Sequence, residues 1–406
     1  MSWAIRKFGD VVQFPPQVKL KKGKLYSFIP LDEITAGKKY VGQQFLKEWK
    51  GSGGAKFIEG DTLFARINPS LQNGKISQAK GLDTGMGFGS TEYFVFRGIE
   101  GITDTDFIYY LSISHEFKEN AIGSMVGASG RQRADAKFVG QYEINLPPLQ
   151  TQKRIADILS AYDDLIENNL KRIKLLEQAA QNIYKEWFVN LRFPGYENTF
   201  INEETGLPKG WAYGVVSDLC QVKSGYAFKS KQWKKEGNPV IKIKNINNNT
   251  VSLNDSGFVD DEVADVAKKY ELFTGDVVIA MTGATVGKVG LIPKIDNRIY
   301  LNQRVGLFRP LSEENNNIAL VFSFFLTDDS QQQVLNFAQG AAQPNISGSE
   351  IGNIKLSIAD SKVLSEFNKL IKPSLDLIQT LYGQNQKLKA ARDILLPRLM
   401  NRTIIT

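Results

Sequence analysis

Residues 155–187, IADILSAYDDLIENNLKRIKLLEQAAQNIYKEW, decide the architecture. Apolar side chains step along this stretch by four and three: Ile155, Leu159, Tyr162, Ile166, a polar Asn169, then Ile173, Leu176, Ala180, Ile183 and Trp187. The spacing is a heptad seam, and it predicts one long helix whose apolar stripe needs a partner helix. Pro147-Pro148 stands just before it and Pro194-Gly195 just beyond it, where a helix is expected to start and stop. Residues 367–399 carry the same pattern at Phe367, Ile371, Ser374, Ile378, Leu381, Asn385, Leu388, Arg392, Leu395 and Leu399.

The two seams predict their own orientation. In an antiparallel pair, facing residue numbers sum to a constant. Setting Asn169 against Asn385 places Trp187 against Phe367, Ile183 against Ile371, Ala180 against Ser374 and Leu176 against Ile378. On the other side come Ile173 with Leu381, Ile166 with Leu388, Leu159 with Leu395 and Ile155 with Leu399. Only Tyr162 with Arg392 is awkward, and an exposed Arg392 is expected to lie across the ring. The asparagines would satisfy each other and fix the register, because a slip buries each against an aliphatic side chain. An intramolecular antiparallel coiled coil is therefore expected; a parallel pairing between two copies of the chain is the rival. At about 1.5 Å per residue such a helix is roughly 50 Å long, enough to act as a spacer between two globular parts.

Outward from the helices, the whole chain repeats. Trp3-Ala4 followed by Asp10 returns as Trp211-Ala212 followed by Asp218, and Gly60-Asp61 with Ala65 returns as Gly275-Asp276 with Ala280. Gly74-Lys75 matches Gly287-Lys288, Gly127-Ala128 matches Gly340-Ala341, and Ile144 with Leu146 matches Ile354 with Leu356. These offsets lie between 208 and 215, and the helices align at 212. Such self-similarity marks two copies of one unit. Each copy is a mixed region followed by a long helix. Strand-type runs such as Tyr93–Phe96 and Val240–Ile243 lie between turn signals, and shorter helices are expected near Phe107–Glu119 and Ala319–Leu326. The fold class expected is α+β, with two globular domains in tandem, at 1–148 and 191–358. The long helices and a tail occupy 149–190 and 359–406.

Composition narrows the chemistry. The 406 residues hold one His and one Cys, so neither a His/Cys metal cluster nor an intrachain disulfide can be assembled. Any Cys–His or Ser–His chemistry would have to run through His115. A lone Cys220 suits a reducing compartment. The amino-terminal stretch has no apolar run of signal-peptide length, and the longest such run, Ile318–Leu326, is too short to span a bilayer. A cytoplasmic protein without a membrane partner is expected. The net charge of +7 and pI near 9.1 favour a polyanionic partner. Catalytic signatures are missing. Thr282–Lys288 resembles a phosphate loop but is one residue short between its glycines, and Val289 stands where Ser or Thr would hold magnesium. Gly85–Gly89 lacks dinucleotide spacing, and Leu146 spoils the likeness of Asn145–Pro148 to an adenine-methyltransferase loop. No catalytic residue, metal or cofactor is assigned to this chain.

The binding signal is richer. Lys223 to Lys244 contains seven lysines against a single acid, Glu236, interleaved with Tyr226, Phe228 and Trp233. Lys223, Lys229, Lys231 and Lys235 are candidates for phosphate contact, while the aromatics either pack on sugars and bases or anchor the loop. The bland alternative is a solvated charged face. The first copy has Lys19, Lys21, Lys22 and Lys24, then Lys38, Lys39 and Tyr40. It also has Gly130-Arg131-Gln132-Arg133 where the second copy has Ala342-Gln343-Pro344-Asn345. Arg and Gln are side chains that contact guanine and adenine edges bidentately, so corresponding loops with different polar residues would read different sequences. Arg66, Asn68, Thr282, Thr285, Arg304, Gln343 and Asn345 complete the candidate set.

These residues resemble a known family, the specificity (S) subunits of type I restriction–modification enzymes. Leu146-Pro147-Pro148-Leu149, Gln152, Ile155-Ala156, Ile158-Leu159, Asp163 and Ile166-Glu167 are similar to the family's first conserved helix. Leu207–Trp211 resembles the opening of a target-recognition domain. Ser224–Phe228, Met281–Lys288, Leu301–Val305 and Ala342–Ser347 are similar to loops of such domains. Two departures stand out. The first domain lacks the Ser-Gly-aromatic loop and has Ile67–Ser70 where the second has Thr282–Thr285. Its target half is therefore expected to be of another type. The second helix lacks the Leu-Pro-Pro entry, having Leu356-Ser357-Ile358, and ends in Leu396-Pro397-Arg398-Leu399, where contact with a partner would differ.

The resemblance implies that each domain reads one half of a split, asymmetric DNA site while the helices fix the unread gap. It also implies two methyltransferase subunits docked on the helices, supplying adenine methylation with S-adenosylmethionine. Restriction subunits with ATP and magnesium would join them. This chain would catalyse nothing itself. The reading from another class is a coiled-coil scaffold that binds proteins and touches DNA incidentally.

Overall fold

A computed structural model describes residues 3–42, 44–128, 130–253, 256–338 and 343–404. Gly340, Ala341 and Ala342, used in the repeat and in one family motif, lie outside the described residues. The chain divides into two units, residues 1–167 with 387–406 and residues 168–386.

In unit 1, Ala4–Lys7 pairs antiparallel with Glu143–Leu146 and ties the start of the domain to its end. One four-stranded sheet has the order Val12–Gln13, Tyr93–Gly98, Thr62–Ala65, Ile76–Gln78. A second has the order Phe45–Glu48, Leu25–Ile29, Met86–Gly89, Lys56–Ile58, with its central pair parallel. Tyr93–Gly98 is buried along nearly its whole length because alternate side chains serve two cores. Phe94 and Phe96 pack with Phe8, Phe64 and Phe117, whereas Tyr93 and Val95 pack with Ile29, Phe57 and Leu63.

Unit 2 repeats this plan. Ala212–Val215 pairs with Lys355–Ile358, and Cys220–Ser224, Val305–Pro310, Val277–Ala280 and Val289–Leu291 form the equivalent sheet. Thr250–Val251 and Ile246–Asn247 extend it by two strands. The second sheet, in the order Gly257–Val259, Asn238–Ile241, Ile299–Leu301, Glu271–Leu272, again has a parallel central pair. The duplication read from sequence is thus a duplication of topology, and the class is α+β.

The shorter helices differ from expectation in one place. The stretch Phe107–Glu119 is two helices, Thr105–Ile113 and His115–Gly123. Ser114 breaks it, with an extended backbone at ψ 148° and its hydroxyl donating to Leu111 O at 2.7 Å. The second run forms Ile318–Phe325, buried almost throughout.

The long helices are α1 (Leu149–Tyr184) and α2 (Ser361–Met400). Within unit 2 they run antiparallel in the predicted register. Asn169 Nδ2 donates to Asn385 Oδ1 at 2.9 Å, both residues being buried, and the Trp187 and Phe367 rings are 5.5 Å apart. Ile173, Ile371, Ile378 and Leu381 are buried in one cluster, with Leu176 and Ile183 packed on it. Each such aliphatic side chain contributes about 1.5–3 kcal/mol by leaving water. In unit 1, Ile155 and Leu159 are buried with Leu396 and Leu399, and Leu395 packs against them.

The Tyr162–Arg392 layer departs from expectation. Arg392 is only 3% exposed, so it does not lie across the Tyr162 ring as a surface residue. Its guanidinium pairs with the buried Asp163, one residue along, and with Asp393. Burial works against the charge on Arg392, but the Asp163 and Asp393 carboxylates outweigh it and raise the guanidinium's pKa. An aliphatic seam has no place for a guanidinium, and a carboxylate just off the seam satisfies it.

Replacing both Asn169 and Asn385 by leucine is expected to hold or raise stability, because the layer becomes apolar, while loosening the register. Chemical unfolding of the double variant checks stability, and cysteine cross-linking between the helices checks register. Strong destabilisation with unchanged register would contradict this role.

Candidate nucleic-acid interface

Each unit gathers part of its candidate set where two loops meet the end of a sheet, and the backbone bonding there is the same in both. In unit 1, Ala134 N donates to Arg66 O (2.8 Å), Asn68 N to Gln132 O (2.9 Å) and Arg66 N to Glu92 O (2.9 Å). In unit 2, Ile346 N donates to Met281 O (2.9 Å), Gly283 N to Pro344 O (2.8 Å) and Met281 N to Arg304 O (3.0 Å). Ile67 bridges Arg133 in one, and Thr282 bridges Asn345 in the other. Arg133 and Asn345 therefore hold equivalent places, as do Glu92 and Arg304. The framework is common, and the side chains on it differ.

In unit 2 the framework collects Lys223, Tyr226, Thr282, Arg304, Gln343 and Asn345. Tyr226 N donates to Leu301 O and Gln303 N to Tyr226 O, which brings the Lys223–Tyr226 loop beside Arg304. Lys223, Arg304, Gln343 and Asn345 are exposed. Lys229, Lys231 and Lys235 are exposed on the continuation of that loop. The aromatics serve as its anchors rather than as a surface. Phe228 is buried, Tyr226 and Trp233 pack on it at 4.9 and 5.5 Å between ring centres, and the Lys242 ammonium covers Trp233 at 3.6 Å. The Thr282 and Thr285 hydroxyls are also turned inward, each buried without a hydrogen-bond partner. These two hydroxyls and the rings of Tyr226, Phe228 and Trp233, packed on one another, do not fit the expected contact set.

In unit 1 the framework collects Arg66, Asn68, Arg131, Gln132 and Arg133. Arg131 is exposed. Arg133 is held by Glu92, whose carboxylate takes Nε at 3.0 Å and Nη2 at 2.7 Å, and its Nη1 donates to Arg131 O. A guanidinium clasped this way has no free fork for a guanine edge. Lys38, Lys39 and Tyr40 lie elsewhere, where Tyr40 bridges Gln78 at the far end of the Thr62–Ala65 hairpin. Lys39 is 4% exposed, donates to Ser160 on α1 at 2.7 Å, faces Asp106 at 3.4 Å and lies over the Tyr110 ring. Tyr40 donates to Asp164 and accepts from Lys80 at 2.9 Å. Lys39 and Tyr40 fasten the domain to α1, and the buried Lys39 ammonium is turned to that contact rather than, as expected, toward DNA.

Neither the one thiol nor the one imidazole of the chain belongs to either cluster. The Cys220 thiol is buried, which pushes its pKa up to about 12, and His115 is exposed at the start of its helix. Among the described residues no group of three His, Cys, Asp or Glu side chains is placed to hold a metal, and no helix is long and apolar enough to cross a membrane. Glu92 is the residue that sequence reading missed. The 212 offset that pairs Arg133 with Asn345 also pairs Glu92 with Arg304, and that was the available signal.

Fold and loops together define a duplicated protein with one polar loop cluster per unit. The family model described as the type I restriction modification DNA specificity domain matches residues 2–178 and again 208–382, so the chain belongs to that family. It is 23% identical to the type I restriction enzyme MjaVIII specificity subunit of Methanocaldococcus jannaschii, over 99% of this chain and 93% of the relative. It is 22% identical to the EcoAI specificity subunit of Escherichia coli, over 96% and 80% respectively. The crystal structure of the S subunit of a type I restriction-modification system from M. genitalium has the same fold. Its TM-score is 0.55 at 16% identity, covering 98% of this chain and 96% of that one.

Proposed function

We propose that this chain is the DNA-reading subunit of a type I restriction–modification assembly. Residues 1–148 and 191–358 each read one half of a split, asymmetric site, and the helices in 149–190 and 359–406 set the gap. The observation that carries this reading is the shared backbone framework holding different side chains. One binding geometry is used twice, with Arg131 and Gln132 presented in one unit and Arg304, Gln343 and Asn345 in the other. A scaffold for one protein partner has no need of that variation at equivalent places.

Two methyltransferase subunits dock on the helices. Ile158 and Leu165 are exposed on α1 in unit 1, and Leu370 and Leu377 are exposed at equivalent places on α2 in unit 2. Each pair is spaced i,i+7 on one helix face, so two like patches suit two copies of one partner. Restriction subunits join that assembly in the cytoplasm. S-adenosylmethionine, ATP and magnesium act on the partners, and the present chain supplies recognition without catalysis.

Changing Lys229, Lys231 and Lys235 together to alanine is expected to weaken duplex binding. It should also flatten the dependence of log K on log salt, by up to about 0.9 for each phosphate that the loop no longer neutralises. Fluorescence anisotropy across a salt series reads this slope. An unchanged slope would remove this loop from the interface.

A further inference from the structure

Unit 1 contains a cleft of about 540 Å³. Phe14, Phe94 and Val95 line it with Lys19, Lys56 and Arg66, and no carboxylate residue is among its described lining. Arg66 is its most informative group. Its Nη2 makes one long bond to Ala134 O at 3.3 Å, its guanidinium lies 4.7 Å from the Phe94 ring centre, and its Nε is buried without a partner. The neighbouring carboxylate, Glu92, is committed to Arg133. A half-buried guanidinium with an unsatisfied N–H and no counter-charge is unfavourable unless an anion completes it.

The internal repeat provides the control. The backbone place of Arg66 belongs to Met281 in unit 2, where the side chain is buried. The framework therefore does not require a cation at this place. Unit 1 has one nevertheless, together with two lysines on an aromatic-lined cleft.

We propose that this cleft binds a single nucleotide, with its phosphate among Lys19, Lys56 and Arg66 and its base against the Arg66 guanidinium, which lies over the Phe94 ring. An arginine lying over a ring offers a flat, weakly hydrated face suited to a base, and the volume lies in the range of small-molecule sites. The choice of a nucleotide among planar anions rests on the DNA-reading role proposed above. The same chemistry has two sources: a nucleotide unstacked from DNA, or a free mononucleotide.

The test uses the full chain. Calorimetric titration with the four deoxynucleoside monophosphates, and with inorganic phosphate, probes the free source. Anisotropy with a duplex carrying one unpaired nucleotide, beside a fully paired control, probes the DNA source. At least one source is expected to show binding that Arg66→Met weakens tenfold or more, since methionine already occupies this place in unit 2. Lys56→Ala, which removes an ammonium that lies 5.1 Å from the Trp49 ring centre beside the cleft, is expected to weaken it severalfold. Mononucleotide binding identifies the free source. Preference for the unpaired duplex, lost in Arg66→Met and reduced in Lys56→Ala, identifies DNA. No mononucleotide binding together with no preference for the unpaired duplex, or binding that neither variant alters, overturns the proposal. Failure of the paired control to bind at all would count against the DNA-reading role instead, and the mononucleotide titration would still decide the cleft.

Discussion

Arg392→Met is expected to destabilise unit 1 by about 3–5 kcal/mol, the usual cost of stranding one member of a buried ion pair. The partner left behind is Asp163, 4% exposed, which also accepts from the Tyr110 hydroxyl at 2.7 Å. One hydrogen bond does not compensate a buried carboxylate that has lost its cation. Urea unfolding of the full chain, followed by circular dichroism, should show an early transition absent from the wild type. Adding Asp163→Leu to the same chain is expected to restore much of the loss, because two apolar side chains can fill the site that a charge cannot. A loss below about 1 kcal/mol in the single variant would show the pair to be solvated, as surface pairs are.

The second large effect concerns spacing. Inserting one heptad into each long helix, at facing layers, adds about 10.5 Å of helix while preserving the seam. At about 3.4 Å per base pair, that is close to three base pairs of added gap. Cells carrying the lengthened protein are expected to lose methylation of the original site and to methylate the same two half-sites at a wider separation. Sequencing that reports methylated adenines checks this. Altered half-sites with an unaltered gap would mean that the helices do not set the spacing.

How far the sequence could be read depended on the range of the interactions involved. The Asn169–Asn385 layer was legible because a heptad period is local, and the sum rule then carried it to Trp187 and Phe367. Arg392 was not, since hydrophobic periodicity registers only the residues of the seam and Asp163 stands one residue off it. The duplicated topology was legible as a recurring offset, while the break at Ser114 depends on a single hydroxyl bonding back to Leu111.

The candidate interface divides in the same way. Equivalent places such as Arg131 and Gln343 followed from the repeat. Burial of Lys39 did not, because Asp106, Tyr110 and Ser160 reach it from distant parts of the chain. In sequence a lysine beside a tyrosine looks like a surface pair. Only the packing of Tyr226, Phe228 and Trp233 on one another distinguishes anchors from a stacking surface.

The most direct measurement is a genome-wide map of adenine methylation in the host, with the gene intact and with it deleted. Loss of methylation at one split, asymmetric motif on deletion, and its return when the gene is restored, is the predicted result. An unchanged map in a host whose partner methyltransferase is expressed would contradict the reading of this chain as the subunit that chooses the site.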